Sequence, residues 1–324
     1  MAVVESRSRL REFFEHNLKP AKDLLYQREL SFLAGVVIEE LTGRNPYFWY
    51  RERRGKNQIV KRQVRSHEMW IDLYDRGLSR HLFIRGVHEA DATAAYREAL
   101  AGIREEMSSE VRVLDVGGNI GYYVLEEVDV LGERASIVAF EPDPENRRLL
   151  ERNVEHNGYA DHVEISSLAV DERSGERTFC RSTHSNWNRL EREEDTGDLD
   201  ELAERFPVET TSLDEYLDEV GMDPAEINAV RMDLEGHEVN VLRGMSNVLA
   251  ADGPTVLFVE FHPDFGEHES YEAALSMLDS NGFVVLHVDQ YWNVLDVGSF
   301  GELREVTGSH VRVVAKKRLR NPSS

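Results

Sequence analysis

Apolar runs of four to seven residues recur along the chain from residue 111 onward, separated by longer stretches in which apolar positions return every three or four residues. Short runs rich in Val, Ile and Phe suit strands buried on both faces, and the longer pattern suits amphipathic helices. The runs predict seven strands: Val111 to Val116, Ser136 to Glu141, Val163 to Ser167, Ala229 to Asp233, Thr255 to Phe261, Phe283 to Val288 and Val311 to Ala315. Helices are expected between them at Ile120 to Leu131, Pro144 to Asn157, His237 to Ala250 and Tyr271 to Asn281. Strands alternating with helices imply an α/β fold built on a doubly wound, mostly parallel sheet.

Before this pattern, the sequence reads as helix over Ser8 to Asn17 and Ala21 to Leu41, closed by Thr42-Gly43 and Asn45-Pro46. A strand-like Met69-Trp70-Ile71-Asp72 follows, then a helix from Ala90 to Glu106. The organisation expected is an N-terminal helical extension over 1–65 and a second domain over 66–320, with its core at about 111–316. Residues 171–228 form a long segment between the third and fourth predicted strands, and so long a connection is commonly functional or inserted.

Charge adds a second layer. Asp and Glu number 61 against 38 Lys and Arg among 324 residues, a net charge of -23, and the lysines are confined to Lys19, Lys22, Lys56, Lys61, Lys316 and Lys317. Such a balance argues against nucleic acid as a partner. Acid excess with lysine scarcity resembles the proteomes of salt-adapted archaea that keep molar salt inside the cell, a statement about solubility and not fold. Against this background, Arg44 to Arg65 carries eight basic residues and one acid, Glu52, beside Tyr47-Phe48-Trp49-Tyr50. Two readings stand: peripheral contact with an anionic membrane surface or substrate, or a basic segment paired with acids of the protein itself. Cys180 is the single cysteine, which excludes an intrachain disulfide and a cysteine-built zinc site. Met1 to Leu10 lacks the apolar core of a signal peptide and no apolar run reaches membrane-spanning length, so a soluble, cytoplasmic protein is expected.

The chemistry concentrates at strand ends. Leu114-Asp115-Val116-Gly117-Gly118-Asn119-Ile120-Gly121 closes the first predicted strand with a turn that lets a ligand lie against backbone at a helix start. Asn119 departs from the G-x-G-x-x-G dinucleotide fingerprint. The next strand ends in Phe140-Glu141-Pro142-Asp143, placing an acid where open α/β sheets bind ribose hydroxyls. Asp115 before the turn suits a cationic amino acid group, which favours S-adenosylmethionine over a nicotinamide dinucleotide. The fourth strand runs into Arg231-Met232-Asp233-Leu234-Glu235-Gly236-His237-Glu238, and the fifth into Val259-Glu260-Phe261-His262.

Taken in order over about residues 66–316, these stretches resemble the FkbM-type methyltransferases of the seven-stranded, Rossmann-like S-adenosylmethionine-dependent class I. The resemblance implies cofactor contacts at Asp115, Gly117, Gly118, Asn119, Gly121 and Glu141, with Asp143 nearby. It implies that Glu89 and Thr93 close over the amino acid end, and that Ala169, Val170 and Asp171 lie near the adenine. Gly118 stands where the family usually has Ala.

Methyl transfer is an in-line displacement that rests on alignment, and an alcohol nucleophile also needs a base. Asp233, Glu235, Glu260 and His262 are the candidate catalytic groups, with His237 beside them. The same four, Asp233, Glu260 and His262 with Glu235, could alternatively hold a hard divalent cation, although the motif does not require one. His184, Asn186 and Trp187 in the long segment are candidate acceptor contacts, Trp187 as a stacking platform or as an anchor for the insertion. The acceptor expected from the resemblance is a small molecule, glycan or lipid-linked sugar, methylated on a hydroxyl or a uronic acid carboxylate. The competing readings are an NAD-dependent oxidoreductase or epimerase, disfavoured by the lack of lysine between Lys61 and Lys316, and a non-catalytic cofactor-binding module.

Overall fold

The computed structural model describes residues 58–192, 202–253, 255–262, 268–290, 293–306 and 310–317, with Ala34, Ile38 and Tyr47. The helices expected over 8–17 and 21–41, most of the basic segment, the acidic run over 193–201 and the tail after 317 lie outside these residues. The chain divides into two compact units, Met1–His88 and Glu89–Ser324.

In the first unit, β1 (Ile59–Val64) and β2 (His67–Asp72) form an antiparallel hairpin followed by α1 (Leu78–Arg85). Val64, Met69 and Ile71 are buried at alternate positions of the two strands, as a sheet covered on one face requires. Lys61, from the basic segment, pairs with Glu68 at 2.7 Å and lies over the Trp70 ring.

The second unit runs α2 (Ala90–Glu106), β3 (Val111–Val116), α3 (Tyr122–Leu131), β4 (Ala135–Phe140), α4 (Pro144–His156), β5 (Val163–Ser166) and β6 (Ala169–Val170). It continues through β7 (Gly175–Ser182), β8 (Arg189–Leu190), β9 (Leu202–Thr211), α5 (Leu213–Val220), β10 (Ile227–Met232), α6 (Glu238–Arg243) and α7 (Ser246–Ala250). Then follow β11 (Val256–Phe261), α8 (His268–Ser280), β12 (Phe283–Gln290), β13 (Asn293–Val294), α9 (Phe300–Leu303) and β14 (Val311–Lys317). The main sheet has the order β13-β12-β14-β11-β10-β3-β4-β5. Strands β11, β10, β3, β4 and β5 pair in parallel, and β14 is antiparallel to both β11 and β12. All seven expected strands are present, in a Rossmann-like α/β sheet.

Every residue of β10 and β11 is buried, which explains their continuous apolar runs. Their core partners include Leu242 of α6, Val248 of α7 and Leu275 and Leu278 of α8. The chain order reverses between β3 and β10, the switch point at which sheets of this kind open a crevice beyond the strand ends.

Two expectations change. The segment 171–228 is no bare loop: β6, β7, β8 and β9 build a four-stranded sheet of their own, and α5 follows with a Ser212–Glu215 capping box. The helix expected over 237–250 is two short helices, because at Gly244 the backbone passes so close to its neighbours that a Cβ would lie 2.5 Å from the Asp171 carbonyl oxygen.

Candidate active site

The turn after β3 is built on backbone contacts. The N–H groups of Gly117 and Gly118 both donate to the Phe140 carbonyl, joining the ends of β3 and β4. Gly117 has φ +84°, and a Cβ there would lie 2.7 Å from the Asp233 carbonyl oxygen. Gly118 has no such constraint; its imagined Cβ is tight only against the Leu150 side chain, at 3.2 Å, with Ala139 Cβ at 3.5 Å and Asp115 Oδ1 at 3.9 Å. Asn119 is left-handed at φ +48°, a conformation Asn tolerates, and Gly121 opens α3. Glu141 receives the Asn119 N–H on Oε2 at 2.7 Å and the Asp143 N–H on Oε1 at 2.8 Å. Burial, reinforced by Asp143, pushes its carboxyl up to about 8.

Asp115 is fully buried at the end of β3. Burial raises its pKa, against the pull of Arg231 3.4 Å away, and its Oδ2 has no hydrogen-bond partner among the described residues. A buried, unsatisfied carboxylate oxygen is costly unless a ligand donates to it. With the Gly117 turn and Glu141 alongside, this donor set fits a ligand carrying an ammonium group and a ribose, as S-adenosylmethionine does.

Arg231 was quoted in the sequence but given no role. From β10 it donates to the Gly117 carbonyl at 2.9 Å and to Asp233 Oδ2 at 3.0 Å, and lies over the Tyr123 ring. A buried cation in the middle of a β-branched run was the available signal. Asp233, just past β10, is raised to about 7 by burial and by Glu260, with Arg231 acting the other way.

A second arginine organises the far side. Arg312 of β14 donates to Glu89 Oε1 at 3.1 Å, to Glu260 Oε1 at 3.3 Å and to Asp289 Oδ1 at 2.7 Å. Glu89 also accepts from the Tyr123 hydroxyl at 2.8 Å, and Thr93 lies 3.4 Å from the hydroxyls of Tyr122 and Tyr123. Glu89, Thr93, Glu260 and the Arg231 edge are thereby brought into one buried polar layer. Of the four groups that could hold a cation, Asp233 and Glu260 each engage a guanidinium, and Glu235 lies 3.4 Å from His262.

His262 is fully buried. Burial alone would lower its pKa, but Glu238, Glu235 and Glu260 raise it to about 10. Glu238, also missed, accepts from His262 Nδ1 at 3.0 Å and from the N–H groups of Leu234 and Gly236. It thereby caps the turn between β10 and α6. Glu235 adopts φ +53°, and burial holds its carboxyl well above the ordinary range.

His237 pairs with Asp171 at 2.8 Å, and Asp171 also engages Arg177. Burial opposes the ionisation of Asp171, but the hydrogen bond and charge of His237, the Glu172 N–H and Arg177 together lower its pKa. Ala169 and Val170 are buried in β6. Asp143 caps α4 and takes a two-pronged contact from Arg181 of the insertion. In the insertion, His184 stacks on Trp187 with ring centroids 4.2 Å apart, so the Trp187 face is already partly covered. The Ser185 carbonyl accepts from Asn119 Nδ2 at 3.1 Å, which sets this segment against the β3 turn. Asn186 Oδ1 is buried with no partner among the described residues.

The family model for the methyltransferase FkbM domain matches residues 115–285. The chain belongs to the FkbM methyltransferase family. Within its reach are "Methyltransferase 1" of Beauveria bassiana, 27% identical over 53% of this chain and 72% of that protein, and the hexuronic acid methyltransferase AglP of Haloferax volcanii, 30% identical over 49% of this chain and 59% of that protein. Among solved structures, an FkbM methyltransferase from Methylobacillus flagellatus is similar at 15% identity and TM-score 0.38, covering 64% of this chain and 43% of that one. M. jannaschii TYW2, in complex with AdoMet, is similar at 14% identity and TM-score 0.42, covering 81% and 87%. Among the described residues, no helix of this FkbM methyltransferase is long and apolar enough to cross a membrane.

Proposed function

We propose that this FkbM methyltransferase moves the methyl group of S-adenosylmethionine to an oxygen of a saccharide, either a hydroxyl or a uronic acid carboxylate, in glycan or natural-product assembly. The observation that carries the reading is the contact between the two halves of the site: the Gly117 turn packs against the backbone of Asp233 so tightly that no Cβ fits. A donor lying on that turn is adjacent to Asp233, whose carboxyl is pushed up to about 7 by burial and by Glu260. The hexuronic acid methyltransferase among its relatives supports a sugar acid as acceptor.

Asp115 Oδ2 would take the donor's ammonium group and Glu141 its ribose hydroxyls. When bound, S-adenosylmethionine supplies an electrophilic methyl on a sulfonium centre. Asp233 accepts the proton of an acceptor hydroxyl, a role suited to a group that titrates near operating pH. For a carboxylate acceptor no proton moves, and Asp233 orients. Asn186 Oδ1 supplies a buried acceptor for a hydroxyl or amine of either ligand. The test is mass spectrometry of uronic-acid-containing oligosaccharides and lipid-linked sugars incubated with protein and methyl-labelled donor. A labelled sugar ester or ether is expected; donor binding without transfer to any sugar overturns the acceptor class.

We also infer that the acid-rich surface adapts the protein to molar salt, where a Debye length of roughly 3 Å screens its self-repulsion. The unfolding midpoint should rise steeply from dilute buffer to molar KCl, and a flat profile would remove this reading without touching the chemistry.

A further inference from the structure

Ligand-forming atoms of Glu235, His262 and His310 lie within 4.8 Å of one another. Glu235 follows β10, His262 follows β11 and His310 precedes β14, so three separate segments of chain converge at one point on the sheet edge. The His262 ring is oriented from behind: its Nδ1 lies 3.0 Å from Glu238 Oε1, and its Nε2 faces Glu235 Oε2 at 3.4 Å. A carboxylate on the far nitrogen is the usual device that orients a metal-binding imidazole. Two N or O ligands each about 2.1 Å from a tetrahedral ion stand about 3.4 Å apart. The Glu235–His262 separation has that value.

His310 meets His262 edge-on, with ring centroids 4.9 Å apart, and its Nδ1 lies 3.4 Å from Glu260 Oε1. Each imidazole thus has its own supporting carboxylate. The charge balance points the same way. Asp233, Glu235, Glu238 and Glu260 interact electrostatically around this point, where the Arg231 guanidinium meets the Asp233 carboxylate and the Arg312 guanidinium meets that of Glu260.

We propose that Glu235, His262 and His310 form a site for one divalent transition-metal ion of the zinc or cobalt class, with Glu238 and Glu260 orienting the two imidazoles. Two nitrogen donors and one oxygen disfavour magnesium and calcium, which take oxygen ligands. Three protein ligands leave coordination open for oxygens of the acceptor. That use rests on the methyltransferase reading; ion binding does not.

The experiment uses the full chain after chelator treatment, without methyl donor or acceptor, in excess Mg²⁺ to occupy surface carboxylates. Co²⁺ alone should bind at one per chain with the visible absorption of a low-coordinate, nitrogen-ligated ion, and Zn²⁺ should displace it. His310→Ala, at a partly exposed position, should weaken Zn²⁺ binding by about 100-fold or more, and Glu238→Gln by about 10- to 100-fold, each with unchanged circular dichroism. No Co²⁺ absorption under these conditions, or wild-type affinity in His310→Ala, overturns the proposal. A chain that binds the ion yet methylates no sugar would count against the function above and not against this site. Full methyl transfer by a chain that binds no ion would do the reverse.

Discussion

The guanidinium of Arg181 closes on both oxygens of Asp143, with Nε 2.7 Å from Oδ2 and Nη2 2.8 Å from Oδ1. Arg181 belongs to the inserted sheet and Asp143 caps α4 just beyond β4, so one ion pair pins the insertion to the carboxyl edge of the main sheet. Asn188 adds a third contact to the same carboxylate at 3.0 Å. Arg181→Ala leaves a buried charge unpaired and should cost about 3 kcal/mol in chemical denaturation. Asp143→Asn, which keeps the cap and a hydrogen bond, should cost less. Equal, small losses would show that the pair does not hold the insertion.

Asp233→Asn should leave the dissociation constant for the donor within about twofold and lower turnover on a hydroxyl acceptor by about 100-fold or more. Because Asp233 titrates at about 7, the wild-type rate should rise with pH through neutrality as the base ionises. The residual rate of the variant should lack that limb. Isothermal titration and a pH–rate profile separate the two effects.

Gly117→Ala introduces a Cβ at positive φ and 2.7 Å from a backbone carbonyl, which no side-chain rotation relieves. It should abolish measurable donor binding. Gly118→Ala is tight only against the flexible Leu150 side chain, with Ala139 and Asp115 at ordinary contact distance, and should bind the donor within about threefold of wild type. Matching losses in calorimetry would mean that the turn is not where the donor lies.

Three buried groups contribute to the pH dependence of stability around and above neutrality, with the same sign. The pKa values of Glu141, Asp233 and His262 are raised from 4.5, 3.8 and 6.5 to about 8, 7 and 10. A raised folded pKa gives stability that is present below the unfolded value and lost as pH climbs through the folded one. Without donor, the unfolding midpoint should therefore fall between pH 6 and pH 9. A midpoint that rises over this window contradicts the assignment.

Much of this was legible in the sequence, because buried parallel strands must be apolar throughout and therefore announce themselves. Val111–Val116 matches its expected bounds, and the other strands differ by a few residues at their ends. The motif residues at strand ends could be read because turn chemistry is local. The arginines could not. Arg231 and Arg312 look like interruptions in apolar runs, and their meaning lies in acids 116 and 223 positions away. Glu238 was hidden for a different reason: it begins a helix, where an acid is unremarkable, and only the fold turns it back onto His262. The inserted sheet was hidden because its strands are amphipathic and half exposed, giving no continuous apolar run.

The placement of β14 bears on how the protein becomes competent. This strand is the last of the sheet along the chain, yet it slots between β11 and β12, and its Arg312 is the counter-charge shared by Glu89, Glu260 and Asp289. During synthesis, every other strand of the sheet emerges before the strand that neutralises those three acids. The sheet can gather around β3 and β10, but the acidic layer stays uncompensated until β14 threads home, so chains halted short of residue 311 should be silent and not partly active.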